Sequence, residues 1–282
     1  MNSTQEQFLI QRFGLEGRTV VVIGGGGILG GMIAEGFGRA GAKVAIADLK
    51  LDLAQSLAER MQKEGLTASA YPLDVLNQDS LEKCCSDILA DYGRVDVLLN
   101  AAGGNHPGAT TSPQTTFFDI SRDGLQKVID LNLMGGAILP AQVFGRHMVK
   151  NPDGGVFILI SSMNALRPLT RICGYSASKA AVSNFTQWLA VHLAQEYGPK
   201  LRVNALAPGF FLTDQNRYLL VKEDGQSMTP RGKQILDHTP LGRYGDPDDL
   251  VGTAIWLASD ASRFVTGIVV PVDGGFSAYS GV

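Results

Sequence analysis

Tyr175 and Lys179 are the residues of this chain whose types and spacing most directly suggest proton chemistry. Residues four apart share one face of a helix. A lysine ammonium beside a phenol favours the phenolate and draws a tyrosine pKa down from its usual ~10. The hydroxyl then becomes an acid or base of use near neutral pH. A second cluster, Gly24-Gly25-Gly26-Gly27-Ile28-Leu29-Gly30, suits phosphate. Its glycines allow a tight turn and close approach to a pyrophosphate, and a helix start behind them offers N–H groups and the positive end of a dipole. Asp48 follows Gly24 by 24 residues. A carboxylate there meets adenosine ribose hydroxyls and repels a 2′-phosphate, which favours NAD over NADP. Each signal alone is weak. Tyr–Lys pairs at this spacing are common on exposed helices, and a glycine cluster also serves a plain strand-to-helix turn.

These groups need elements to hold them. Val20-Val21-Val22-Ile23 reads as a buried parallel strand. A helix follows over 28–39, with Ile33, Phe37 and Ala40 on one side and Gly41 behind its end. The alternation continues with strands at 43–47, 68–73, 95–100, 155–160, 201–206 and 268–272. Helices are predicted at 51–64, 78–92, 121–133, 136–149, 176–195 and 247–258. Such alternation predicts an α/β fold, a doubly wound parallel sheet with helices on both faces. With no Pro/Ser-rich linker, residues 1–282 read as a single domain. Two stretches break the rhythm: a polar loop at 104–118, and 214–246, which reads as a substrate lid.

Composition narrows the partners. Hydrophobic residues at 45% and charged residues at 18% can fill a substantial core. A net charge of -3 with scattered Lys and Arg offers no field for nucleic acid. Apolar runs are short and broken by glycine, so no membrane span is expected. The start, MNSTQEQFLIQRFG, does not read as a signal peptide. Cys84, Cys85 and Cys173 form no disulfide framework, and His106, His147, His192 and His238 lie far apart. Reduced thiols in the cytoplasm and no metal are expected.

Taken in order, the glycine turn, Asn100-Ala101-Ala102-Gly103, Asn132, Ser162 and Tyr175 with Lys179 resemble the single-domain short-chain dehydrogenase/reductases, over roughly residues 15–276. The resemblance implies a Rossmann fold, a nicotinamide cofactor, and direct hydride transfer between a ketone and a secondary alcohol. Ser162, thirteen residues before Tyr175, would hydrogen-bond the substrate oxygen, with Ser161 as the alternative. Tyr175 would move the proton. Lys179 would lower the Tyr175 pKa and hold the ribose hydroxyls, and Asn132 would fix a water linking Lys179 to solvent. The implied cofactor set is Gly24, Gly26, Gly27, Ile28, Leu29, Gly30, Asp48, Asp74, Val75, Asn100, Ala101, Ala102, Gly103, Tyr175, Lys179, Pro208, Gly209, Phe211 and Thr213. Two positions depart from the family pattern. Ile23 replaces its usual Thr, and Ile28 stands at its middle glycine, where it narrows the approach to the pyrophosphate. A homotetramer, or else a dimer, is implied.

The substrate pocket is expected from the residues after these landmarks: Asn105 and His106; Ser162, Met163, Asn164 and Arg167; Gln215, Asn216 and Arg217. Amides, an imidazole and guanidiniums suit a hydroxyl-rich anion. Gly103-Gly104-Asn105-His106-Pro107, Ser161-Ser162-Met163-Asn164-Ala165 and Pro208-Gly209-Phe210-Phe211-Leu212-Thr213 resemble the D-mannonate oxidoreductase (fructuronate reductase) subgroup. That implies a sugar acid, D-fructuronate or D-mannonate. Another keto-sugar acid, such as a gluconate or a deoxy-ketouronate, and a non-catalytic NAD-binding sensor or scaffold stay open as alternatives.

Overall fold

Short β-branched runs separated by amphipathic helices settle into one parallel sheet. The computed structural model describes residues 3–213, 217–222 and 227–281. Its strands are β1 (Thr19–Ile23), β2 (Lys43–Asp48), β3 (Ala68–Pro72), β4 (Val97–Asn100), β5 (Gly155–Ile160), β6 (Leu201–Pro208) and β7 (Val269–Val272). They lie in the order β3-β2-β1-β4-β5-β6-β7, every pair parallel. The order reverses between β1 and β4, where Val20 pairs with Val97 and Ile23 with Asn100. A crevice opens beyond the carboxyl ends of strands at such a switch point.

Successive strand residues face opposite sides. Val20 and Val22 therefore join a core with helix α2 (Ile28–Arg39), helix α3 (Leu51–Lys63) and helix α10 (Val251–Ala258). Val21 and Ile23 join a second core with α4 (Gln78–Tyr92), α6 (Leu139–Met148) and α7 (Cys173–Glu196). Helices thus cover both faces. The chain is a single Rossmann-like domain.

The predicted bounds of α2, α4 and β5 are met to the residue. The two helices expected at 121–133 and 136–149 are instead continuous. Helix α5 (Arg122–Ile129) passes into a π-helical stretch, Asp130–Ile138, and on into α6. Gly135 and Gly136 do not break it. A methyl on Gly135 would lie 2.6 Å from Val75 Cγ2, and one on Gly136 2.8 Å from the Ala102 carbonyl oxygen, so these glycines serve close packing. This also corrects the expectation that no segment is long and apolar enough to cross a membrane. By length and composition Arg122–Met148 qualifies, and 56% of its most apolar window is buried inside the protein. Helix α1 (Ser3–Phe13), which the sequence pattern did not suggest, buries none of its residues.

The region 214–246 holds two short helices, α8 (Arg217–Leu220) and α9 (Pro230–Asp237). They are tied by Thr229 N–H donating to the Leu220 carbonyl at 3.0 Å.

Candidate active site

The glycine turn leads from β1 into α2. Gly24 takes a φ of 74°, open to glycine. A methyl on Gly30 would collide with the Gly24 carbonyl, so this helix packs onto its own turn only because Cβ is missing. Helix α2 starts behind Gly27 without a side-chain cap. Its first N–H groups are thus left for an anion. Asp48, at the end of β2, accepts from Gly26 N–H and Lys50 N–H, both at 2.9 Å, which fixes its carboxylate beside the turn. This uncapped helix start, a floor that any Cβ would fill and a fixed carboxylate fit a dinucleotide. Ile28 opens α2 with 40% of its surface exposed.

The opposite wall comes from β4. Asn100 is fully buried, and its side chain donates to the Gly135 carbonyl at 3.1 Å. Val75 is buried against Gly135, while the Asp74 carboxylate accepts from Leu76 N–H at 2.9 Å. Ala101, Ala102 and Gly103 are half-buried along the crevice. Beyond β6, Gly209 N–H donates to the Val272 carbonyl at 2.9 Å. The Phe211 ring is packed into the core and lines a cavity of about 190 Å³ with Thr239 and Arg243. That leaves its backbone rather than its ring for a ligand. The Thr213 carbonyl accepts from Arg217 N–H at 2.9 Å.

Tyr175 and Lys179 lie one turn apart in α7, which begins two residues before the tyrosine. Lys179 is buried, its Nζ donating to the Ile160 carbonyl at 2.7 Å and standing 5.7 Å from the Tyr175 ring centre. Burial lowers its pKa to about 8. The Ser162 hydroxyl is near enough to the Tyr175 hydroxyl to act on it. Burial raises the Tyr175 pKa above its ordinary value, and the Ser162 hydroxyl works against that rise. The sequence expectation that the lysine charge depresses the phenol is therefore not met here. The ammonium donates to the Ile160 carbonyl, and burial is the first cause acting on the phenol.

Ser161, the alternative, has other partners. Its hydroxyl donates to the Lys179 carbonyl at 3.1 Å and shares a bond with Ser183 at 2.7 Å, away from the phenol. Asn132, in the π-helical stretch, is fully buried. Its Nδ2 donates to the Gly104 carbonyl at 2.6 Å and the Val128 carbonyl at 2.8 Å, and its Oδ1 accepts from Gly104 N–H at 3.1 Å. Its amide thus clips the loop after β4 to the helix. Gly103 threads between the two: a methyl there would lie 2.8 Å from Asn132 Oδ1 and 3.2 Å from Lys179 Nζ.

The expected substrate residues divide. Asn164 is buried, its Nδ2 donating to Ser162 Oγ at 3.3 Å and its Oδ1 accepting from Leu169 N–H at 3.1 Å, so it braces Ser162. Asn105 donates to Thr110 Oγ1 at 2.8 Å, and His106 Nδ1 accepts from Gly108 N–H at 3.0 Å. Both shape the loop itself. Arg167 reaches the C-terminal tail, Nε donating to the Ser277 carbonyl at 3.0 Å. Arg217 is exposed at the start of α8, and Gln215 lies outside the described residues.

Comparison with known proteins agrees with this geometry. The sequence model of the family described as enoyl-(acyl carrier protein) reductase matches residues 27–277. The uncharacterized oxidoreductase UxuB of Bacillus subtilis is 47% identical over 277 residues, covering 95% of this chain and 98% of that one. The NAD-bound structure of a candidate D-mannonate oxidoreductase from Haemophilus influenza superposes with a TM-score of 0.88 at 41% identity, covering 95% of this chain and 98% of that one. A gluconate 5-dehydrogenase from Burkholderia cenocepacia, in complex with NADP and tartrate, gives 0.84 at 32% identity over 95% and 98% of the two chains. The chain belongs to the short-chain dehydrogenase/reductase family and is an oxidoreductase acting on alcohol groups.

Proposed function

We propose that this enzyme uses NAD(H) to interconvert a ketone and a secondary alcohol on a sugar acid, D-fructuronate and D-mannonate being the pair of first choice. The observation that supports the reading is the Ser162–Tyr175–Lys179 group, with Ser162 and Lys179 buried and Gly103 between Lys179 and Asn132, beside the uncapped glycine turn. Residues Gly24 to Gly30 with Asp48, Asp74 and Val75 hold the adenosine and pyrophosphate side. Asn100 to Gly103, Tyr175, Lys179, Pro208, Gly209 and Thr213 hold the nicotinamide side. When bound, the dinucleotide supplies or takes up the hydride. Tyr175 gives a proton to the carbonyl oxygen in reduction and takes one from the hydroxyl in oxidation. Ser162 donates to the same oxygen and steadies the developing alkoxide. Lys179, at about 8, remains mostly charged near neutral pH and holds ribose hydroxyls. Asn132 positions Gly104 and, through it, the wall beside Lys179.

The fixed Asp48 carboxylate favours NAD over NADP, because a 2′-phosphate would meet it as a like charge. The sugar acid follows from the polar loops around the site and from the mannonate and gluconate enzymes it resembles. The bound tartrate of the gluconate relative supports another keto-sugar acid as the second reading. We extend the proposal to a lid at 214–246 and to a cytoplasmic homotetramer. The exposed apolar side of α7, with Trp188 stacked on His192 at 4.8 Å, favours assembly through that helix. Light scattering after gel filtration tests the tetramer.

The test of function follows NADH absorbance with fructuronate, other keto-sugar acids and an apolar ketone. Turnover of a keto-sugar acid is expected. Good turnover of the apolar ketone with none on any sugar acid would reject the sugar-acid reading.

A further inference from the structure

The Ser162 hydroxyl is met twice by the residue two positions after it. Ser162 stands in extended backbone beyond β5, caps the one-turn helix Met163–Ala165 and accepts from Asn164 N–H at 3.2 Å. The Asn164 side chain folds back, and its Nδ2 donates to the same Oγ at 3.3 Å. Asn164 is buried, and its Oδ1 accepts from Leu169 N–H at 3.1 Å. A backbone N–H can only donate, so the amide oxygen must face Leu169 and the NH₂ group must face Ser162.

A hydroxyl has one proton to give and two lone pairs to fill. At Ser162 two N–H donors converge on Oγ, so both lone pairs are engaged and the proton is left for a third partner. With a carboxylate in place of the amide, Oγ would give its proton to residue 164 and turn a lone pair to the site. A free proton suits a partner that gathers negative charge, as a carbonyl oxygen does on becoming an alkoxide. The neighbouring phenol shows the same polarity. Ser162 works to lower the Tyr175 pKa, as a donor to the phenolate does.

We propose that Asn164 is a positioning residue that sets the polarity of Ser162, filling its lone pairs so that the hydroxyl proton is given to the reacting oxygen. The chain of donors runs one way, from Leu169 N–H to the Asn164 amide and from that amide to Ser162, and each bond polarises the next. This role rests on the oxygen-binding part given to Ser162 in the proposed function, and it holds for whichever ketone the enzyme reduces. It also replaces substrate contact as the task of Asn164, whose carbonyl oxygen and one N–H are committed inside the loop.

The test is a double-mutant cycle of Ser162→Ala and Asn164→Ala in the full-length enzyme, run with NADH and the ketone of the functional screen that turns over fastest. Asn164→Ala should lower kcat about tenfold while NADH affinity and KM for the ketone hold within about twofold. Ser162→Ala should lower kcat by about 10²–10³-fold. With Ser162 already removed, Asn164→Ala should cost less than about twofold more. Asn164→Asp keeps the shape and makes the donor titratable. Ionised, its carboxylate takes the Ser162 proton; protonated, it again accepts from Leu169 and donates to Oγ. Its kcat relative to the wild type, in which Tyr175 and Lys179 titrate as well, should fall as pH rises from about 6 to about 9. An equal loss from Asn164→Ala with and without Ser162, or no loss, overturns the proposal. Should Asn164→Ala fail to bind NADH, Asn164→Asp decides, and a ratio independent of pH overturns it. Full turnover by Ser162→Ala removes Ser162 from the proposed function and this role of Asn164 with it. A crippled Ser162→Ala with an additive cycle keeps the function and removes the role of Asn164 alone.

Discussion

The cofactor side and the substrate side of this crevice are built differently. From β1 to β4, the floor is continuous sheet with fully buried valines and leucines, and the glycine turn is stitched to β2 by Asp48. Across from it, residues 163–172, the described parts of 214–246 and the tail at 273–281 are short helices and turns. The tail meets 214–246 through ring contacts of His238 with Phe276 and Tyr279, and meets 163–172 through Arg167 on Ser277, while Val221 bridges Met228 within 214–246. Few buried contacts and solvent-near hydrogen bonds mark a segment that opens at low free energy. The difference teaches a division of labour. A constant ligand is met by rigid backbone, and a variable one by loops hung on a scaffold.

The sharpest way to break that division is Tyr175→Phe, at the seam. Loss of the hydroxyl should reduce turnover by about 10²–10⁴-fold. NADH binding, followed by fluorescence, should stay within about twofold. A variant that loses both would show that the two sides are not separable at this residue.

Lys179 gives the next largest effect. Its folded pKa of about 8 lies below the ordinary 10.5 of the unfolded chain. Between these values the unfolded state binds more protons, so this lysine's contribution to stability rises with pH through that window and is lost as pH falls through about 8. Urea unfolding of the wild type and Lys179→Met at pH 7.5, 9 and 10.5 reads it, taking the difference between the two proteins at each pH. The gap should shift toward the wild type by up to about 3 kcal/mol. A gap independent of pH would show that Lys179 does not titrate there.

The same division explains what the sequence disclosed. Strands and helices of the cofactor side follow from local patterns, β-branched runs ended by glycine and helices bounded by caps such as Asn77, which accepts from Ser80 N–H. Tyr175 and Lys179 were legible because one turn of helix brings them together. The gap expected between 133 and 136 is absent, and Gly135 and Gly136 there serve tertiary packing against Val75 and Ala102. Helix α1 was missed because no buried stripe marks it. The substrate residues were read by chemical type alone, whereas their contacts are set at long range. Arg167 finds a carbonyl 110 positions away, and Asn164 turns back onto Ser162.

Asp48→Ala should change cofactor choice without touching the substrate side. The carboxylate holds Gly26 and Lys50 N–H groups, so its loss loosens the turn and removes the charge opposing a 2′-phosphate. The ratio of kcat/KM for NAD to that for NADP should fall by about 10–100-fold, roughly 1–3 kcal/mol. KM for the sugar substrate should hold. A variant with its NAD preference intact would remove Asp48 from that role.

The smallest effect is expected at Arg167, and it tests the soft side directly. The side chain is exposed, and a hydrogen bond from it to a carbonyl contributes about 1 kcal/mol. Arg167→Ala should therefore leave global stability within about 1 kcal/mol. It nevertheless cuts the tie between the loop after Ser162 and the tail, which is also ordered by Asp273 accepting from Gly275 and Ser277 N–H groups, both at 2.9 Å. Hydrogen exchange should quicken at 276–280 and across α9, which the tail's rings touch, while amides of β1 and β4 keep their protection. If β1 and β4 quicken as much as the tail, the two sides open together, and the contrast between rigid floor and adaptable wall does not describe this enzyme.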